Sequence, residues 1–336
     1  MAQEPRTTQR RHCLVLGGTG HIGNALARAL LHDGHEVAIA CRRAGTRANL
    51  EDIEVTALVG DDRCPGQLAD WVRGRDLVVD AAAPYPLQLF DGEKSGRDRL
   101  QSAIERSRRL IDAVHGQDAE LVYVSSFTTL PRQLPWAARL QSAVIQGSHP
   151  YFETKAAIER HIVKAAAQGL RAVVINPSVC IGPWDLKAQD ACFVAAVARG
   201  DLWAVTRQAM NVIDVRDVAD AALKSLAEKH YGQPIALSGH NVDLDSLVRK
   251  ISRLAGRQAP LMRASTRITA AGAYWTDVMF GALGQSAPFP SLPFLLLCEC
   301  RAMSISAAQQ KLGLATRPLE ATLRDALSWY RSIDYC

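Results

Sequence analysis

The 336-residue chain has few aromatics (6%) and little net charge, formally +5. Its arginines are scattered, with no basic run interleaved with aromatics, so no nucleic-acid partner is expected. No apolar run approaches the roughly 18 residues of a membrane span. The nearest, 292–298, is too short and sits beside prolines, so no membrane partner is expected. The eight cysteines lie far apart except Cys298 and Cys300. Without a second pair, or histidines at ligand spacing, they predict no metal site. Cys13, Cys41 and Cys180 fall within apolar strand patterns, where cysteine acts as a small hydrophobe. A reduced, cytoplasmic protein is expected. Residues 1–9 read as a disordered tail, and 1–11 have no apolar signal core. Repeats and low-complexity segments are absent.

What is present is the composition of a globular protein with a sizeable core, 48% hydrophobic and 22% charged. Apolar runs of strand length occur at 12–16, 36–41, 53–59, 77–82, 121–125 and 172–175, with helical patterns between them, notably 24–31, 99–114 and 154–168. Strands this uniformly apolar are buried on both faces, which predicts a doubly wound parallel α/β sheet with helices on each side. The last third changes rhythm. Helices are expected at 217–227, 244–254, 265–283 and 319–330, a short strand at 235–238, and an irregular loop around Pro288, Pro290 and Pro293. This region is expected to form a smaller lobe over the carboxyl ends of the strands, where such sheets bind ligands. The division is 10–176 with about 207–230 for the sheet domain, and 177–206 with 231–332 for the lobe.

One stretch organises the rest. The run His12–Leu16 ends in Gly17-Gly18-Thr19-Gly20-His21-Ile22-Gly23, and a helix follows. Glycines allow a tight turn and close approach of phosphate, and the helix N-terminus offers N–H groups and a positive dipole end. A glycine pattern alone also fits an ordinary turn; the flanking strand and helix favour a dinucleotide. Two further features suggest chemistry. Tyr151 and Lys155 stand one helical turn apart, so a lysine ammonium can lower the phenol pKa toward neutrality. By chance alone such a pair is common. Ser125 and Ser126 follow a central strand, placed to bond a substrate oxygen or merely to cap a turn.

Taken together and in this order, these motifs resemble the extended short-chain dehydrogenase/reductase family, of the NAD(P)-dependent epimerase/dehydratase type. The likeness covers nearly the whole chain. Asn176–Pro183 is similar to the family's nicotinamide-contacting segment, and Asn211–Ala219 to its later N-hhh-V-x-D-V-A signature. Residues 237–241 and 256–260 resemble dihydroflavonol-reductase-like and sugar-epimerase-like bacterial members. The resemblance implies a Rossmann-type fold with a smaller C-terminal substrate lobe. It makes Tyr151 the general acid/base, Lys155 the residue that lowers its pKa and bonds the nicotinamide ribose, and Ser126 the group that polarises the substrate oxygen. Cofactor contacts are implied at Gly17, Thr19, Gly20, His21, Ile22, Gly23, Asp61, Ala81, Ala82, Ala83, Ser125, Lys155, Pro177 and Val179. Substrate contacts fall to Ser126, Tyr151 and Trp184. Where many members carry a helix Asn for a proton relay, the alignment gives Glu105.

At the end of the second strand an NAD site wants a carboxylate, whereas this chain has Arg42 and Arg43. Guanidiniums suit a 2′-phosphate, so NADP(H) is expected over NAD(H). The function expected is NADPH-dependent reduction of a ketone or aldehyde, with a small-molecule substrate, no metal, and a possible homodimer. The alternative is a nucleoside-diphosphate-sugar epimerase or dehydratase that retains NAD.

Overall fold

The computed structural model describes residues 9–42, 48–64, 66–82, 96–131, 136–147, 149–186 and 192–336. In β1 (His12–Leu16) alternate side chains enter two different cores, Cys13 and Val15 on one face, Leu14 and Leu16 on the other. The first core holds α1 (His21–His32), and β2 (Glu36–Cys41) follows. Then come β3 (Thr56–Val59), α2 (Gln67–Val72), β4 (Leu77–Asp80), α3 (Gly96–Gly116), β5 (Glu120–Val124), α4 (Trp136–Gly147), α5 (Pro150–Ala166) and β6 (Ala172–Pro177). Helices α2, α3 and α5 supply the second core, around Leu68, Leu110, Val114 and Ile158. Consecutive apolar residues of the inner strands are thereby used on both faces, which is why those strands do not alternate.

Among the described residues the main sheet runs in the order β3, β2, β1, β4, β5, β6 and a seventh strand, all parallel. The order reverses between β1 and β4, the place where such sheets open a crevice at their carboxyl ends. The remaining elements are β7 (Val179–Ile181), α6 (Phe193–Arg199), β8 (Ala204–Thr206), β9 (Ala209–Asp214), α7 (Val215–Ala227), β10 (Pro234–Leu237), β11 (His240–Asp243), α8 (Leu244–Ala255), β12 (Met262–Ala264), α9 (Thr266–Ala282), α10 (Ser291–Glu299), α11 (Ala307–Lys311) and α12 (Leu319–Ser332).

Two expectations are corrected here. The short strand at 234–237 is not part of a lobe: β10 pairs in parallel with β6 and is the seventh strand. The proline-rich stretch is not wholly irregular either, since Ser291–Glu299 is helical. Pro293 falls in its first turn, where the missing N–H would have had no intrahelical partner.

A third core joins α6, α8 and α12 through Val197, Leu247, Ile251, Leu323 and Tyr330. It is tied to the sheet domain by polar contacts at the start of α7. Asp214 caps that helix, accepting from Arg216 N at 2.8 Å, and also accepts from Thr322 Oγ1 of α12 at 2.7 Å. Burial opposes the Asp214 charge, but the hydrogen bonds from Arg216 and Thr322 outweigh it and hold the carboxyl below its usual range.

Candidate active site

The turn after β1 is built as the glycines require. Gly17 adopts φ +79°, and Gly20 N donates to Gly17 O at 2.9 Å. A Cβ on Gly17 would lie 2.7 Å from the Ala81 carbonyl, and one on Gly23 would run into the Gly17 carbonyl oxygen. The turn therefore lies hard against the exit of β4, where Ala81 N donates to Leu16 O at 3.0 Å and Ala82 N to Asp80 Oδ1 at 3.1 Å. Helix α1 begins three residues earlier than its apolar pattern, so His21, Ile22 and Gly23 form its first turn. Gly20 contributes no side-chain cap and the first turn holds no carboxylate, leaving the positive end of the helix for an anion. These residues fit a dinucleotide pyrophosphate.

The back of this turn is pinned. Asn49 Nδ2 donates to Thr19 O and to Trp184 O, both at 3.2 Å, and Asn24 Nδ2 donates to Asn49 O at 2.7 Å. Arg28 stacks on the Trp184 ring at 4.3 Å and bonds Asn24, Asn49 and Asp52. His21 Nδ1 lies 4.0 Å from Asp185 Oδ2. Trp184, expected at the substrate, thus has its described contacts with α1 and the segment beside it.

At the outer end of the crevice Arg42 is exposed. Asp61 is held down at about 2, chiefly by hydrogen bonds from Arg63, with a smaller contribution from the Arg42 charge. Arg43 and Ala83 lie outside the described residues. Behind Asp61 is a buried ion-pair chain that the sequence reading missed. Arg106 of α3 forms a two-pronged pair with Asp80 at 2.8 and 3.0 Å and reaches Asp62 at 2.5 Å. Arg106 and Asp80 are 4% and 1% exposed. Glu105, aligned with the relay position, instead faces solvent and accepts from Gln101 at 3.0 Å. The available signal was the α3 spacing, with Ala103, Arg106, Ser107 and Leu110 sharing its inward face.

The candidate chemistry sits between β5 and α5. Ser126 opens a single 3₁₀ turn (Phe127–Thr129), its Oγ accepting from Thr128 N at 3.2 Å and Thr128 Oγ1 at 3.0 Å. It is both a cap and a hydroxyl at the strand end. Helix α5 starts at Pro150, and the His149 ring caps it by accepting from Tyr151 N at 3.2 Å. Tyr151 therefore stands in the first turn, buried in an apolar cluster with Phe152, Ala270 of α9, and Leu292 and Leu295 of α10. One turn on, Lys155 donates from Nζ to Val124 O at 3.0 Å, the carbonyl just before Ser125. Burial pushes its pKa down to about 8; the charges of Asp80 and Glu159 work the other way, and Arg106 adds to the lowering. Another turn on, Glu159 accepts from Ser125 Oγ, from Thr129 Oγ1 at 2.7 Å and from Asn176 Nδ2 at 2.6 Å. Asn176 Nδ2 also lies 3.2 Å from Ser126 O. Glu159 was likewise unforeseen, although it continues the four-residue spacing of Tyr151 and Lys155. Pro177 and Val179 end β6 and open β7 directly after Asn176.

Residues 13–237 match the family described as "NAD dependent epimerase/dehydratase family". A "Putative dihydroflavonol 4-reductase" of Synechocystis sp. is 27% identical over 330 residues, covering 96% of this chain and 95% of the relative. "Sterol demethylase protein B" of Methylococcus capsulatus is 25% identical, covering 95% and 98%. A solved nucleoside-diphosphate-sugar epimerase from Pseudomonas aeruginosa superposes with a TM-score of 0.73 at 23% identity, covering 97% of this chain and 99% of that one, a likeness of fold.

Proposed function

The chain belongs to the NAD dependent epimerase/dehydratase family and is an NAD(P)-dependent oxidoreductase; within that family we propose that it reduces an apolar ketone or aldehyde with NADPH, reversibly. The observation that carries this reading is the enclosure of Tyr151. Its ring is buried among Phe152, Leu292 and Leu295, and the lysine one turn away is buried too.

When bound, the nicotinamide supplies the hydride chemistry. The chain's residues supply the proton and the geometry. Tyr151 Oη holds the proton destined for the substrate oxygen. Lys155, with a pKa near 8, keeps its charge at neutral pH and favours the phenolate that remains. Ser126 Oγ, fixed by Thr128, orients the oxygen. Glu159 and Asn176 hold the β5 exit to α5, keeping these groups in register. The apolar shell excludes water. An apolar substrate is further supported by the relatives named for a dihydroflavonol and a sterol. Arg42, exposed where a carboxylate would select NAD, supports NADPH.

Two measurements test this. In a side-by-side fluorescence titration, exchangeable NADPH is expected to bind more tightly than NADH; copurified NAD that resists exchange would favour the retained-cofactor epimerase instead. Tyr151→Phe is expected to abolish turnover of a carbonyl panel while leaving NADPH affinity within about twofold, because only the proton donor is lost. Equal loss of NADPH binding would count against the assigned role.

A further inference from the structure

Helix α9 is apolar on the side that faces away from the protein. Ile268, Trp275, Met279 and Leu283 follow at helical spacing and are 76, 63, 62 and 70% exposed. Ala271, Gly272 and Ala282, also exposed, fill the face between them. The helix's one carboxylate, Asp277, points inward and accepts from Ser291 N at 3.0 Å and Ser291 Oγ at 2.5 Å. Leu261 and Met262 before the helix are 94 and 60% exposed, and Phe289 after it 51%. Single exposed apolar residues are ordinary, but a contiguous patch of this kind is not. A helix with apolar residues on two opposite sides calls for cover on both. The inner side has it, from α10 and, through Ala270, the Tyr151 cluster.

The amino end of the same helix is basic. Arg207, Arg263 and Arg267, with Ser265 and Thr266, line a cavity of about 660 Å³. Asp245 pairs with Arg263 and Arg249, leaving the cluster net positive. An apolar helix face bordered by arginines is complementary to an anionic bilayer surface. A second copy fits less well. Antiparallel pairing of α9 would set residues 283–290, which contain no carboxylate, opposite these arginines, and parallel pairing would set arginines together. No helix among the described residues is long and apolar enough to cross a membrane. The sequence expectation of no membrane partner rested on run length, which bears on spanning alone.

We propose that the outer face of α9 docks on an anionic lipid bilayer, its arginines on headgroup phosphates and Trp275 and Met279 among the acyl chains. The proposal rests on the apolar-substrate reading in one respect: the helix that covers Tyr151 on its inner side then meets the phase where such a carbonyl dissolves. Its test uses neither cofactor nor substrate, so the two can fail separately. The full chain is mixed with vesicles of phosphatidylcholine, with and without phosphatidylglycerol, and floated. Flotation with the anionic vesicles is expected, reduced by salt, by Arg267→Glu, and roughly tenfold or more by Trp275→Ser with Met279→Ser. Trp275→Phe keeps the apolar face and is expected to float normally, while losing most of the fluorescence quenching given by brominated acyl chains. The proposal is overturned if the chain stays with neither vesicle, or if quenching is unchanged in Trp275→Phe. It is also overturned if the free chain is a dimer that the double variant dissociates.

Discussion

Lys155 carries its charge where burial opposes it. Its pKa falls from 10.5 to about 8 on folding. Between those values the unfolded chain holds the proton and the folded one does not, so stability rises with pH through that window and is lost as pH falls back through about 8. Lys155→Met removes the charge and keeps the stem. At pH 7 it is expected to gain on the order of 1–3 kcal/mol of stability and melt at higher temperature, with a smaller gain at pH 10 and no turnover. Melting curves at both pH values check this, and an unstabilised variant at pH 7 would refute it. Arg106 presents the opposite case, because its loss strands the buried Asp80 carboxylate. Arg106→Met is expected to cost about 3–5 kcal/mol, and adding Asp80→Leu to recover most of it, since the pair owes little net stability to its charges once both are gone. Urea midpoints of the two variants decide, and no recovery in the double variant would mean that Arg106 acts through other contacts.

At the scale of elements, the turn between β1 and α1 has no slack. Gly23→Ala drives a methyl group into the Gly17 carbonyl, whose own turn abuts Ala81. Since backbone meets backbone, neither side yields without moving the strand exit, and a cost of about 1–3 kcal/mol is expected. NADPH affinity is expected to fall more than ordinary overpacking would imply, because the phosphate cradle itself is displaced. Cofactor titration beside a melting curve separates the two effects, and unaltered affinity would mean that the turn does not receive the phosphates.

The elements also show what sequence periodicity can carry. β1 and β2 have the expected limits because each is an apolar run after one polar residue, His12 or Glu36, with glycine or charge beyond it. β3 is shorter than 53–59: as the edge strand it pairs with β2 only from Ala38 with Thr56 to Cys41 with Val59. Tyr151 with Lys155, and Ser126 after its strand, could be singled out because each pattern is local, one helical turn or one strand end. Arg106 with Asp80 could not, since a partner 26 residues away is fixed by packing of α3 on the sheet. The helix at 291–299 was hidden because proline reads as a breaker unless its place in the first turn is known.

The molecule as a whole depends on pairings made late in the chain. β6 has β5 on one side and β10 on the other, and β10 begins at Pro234, 57 residues after β6 ends at Pro177. A chain cut at residue 230 keeps α7 but lacks β10, as well as α12 with its Thr322 bond to Asp214. Such a fragment is expected to aggregate, as light scattering would show; a soluble, cooperatively melting fragment would refute this.

The same arrangement has a consequence during synthesis. On the ribosome, the outer edge of β6 emerges well before its covering strand and, for a time, offers unpaired backbone beside an apolar core. A nascent chain paused in that interval is the form of this protein most exposed to mispairing, and the one for which a chaperone would matter most.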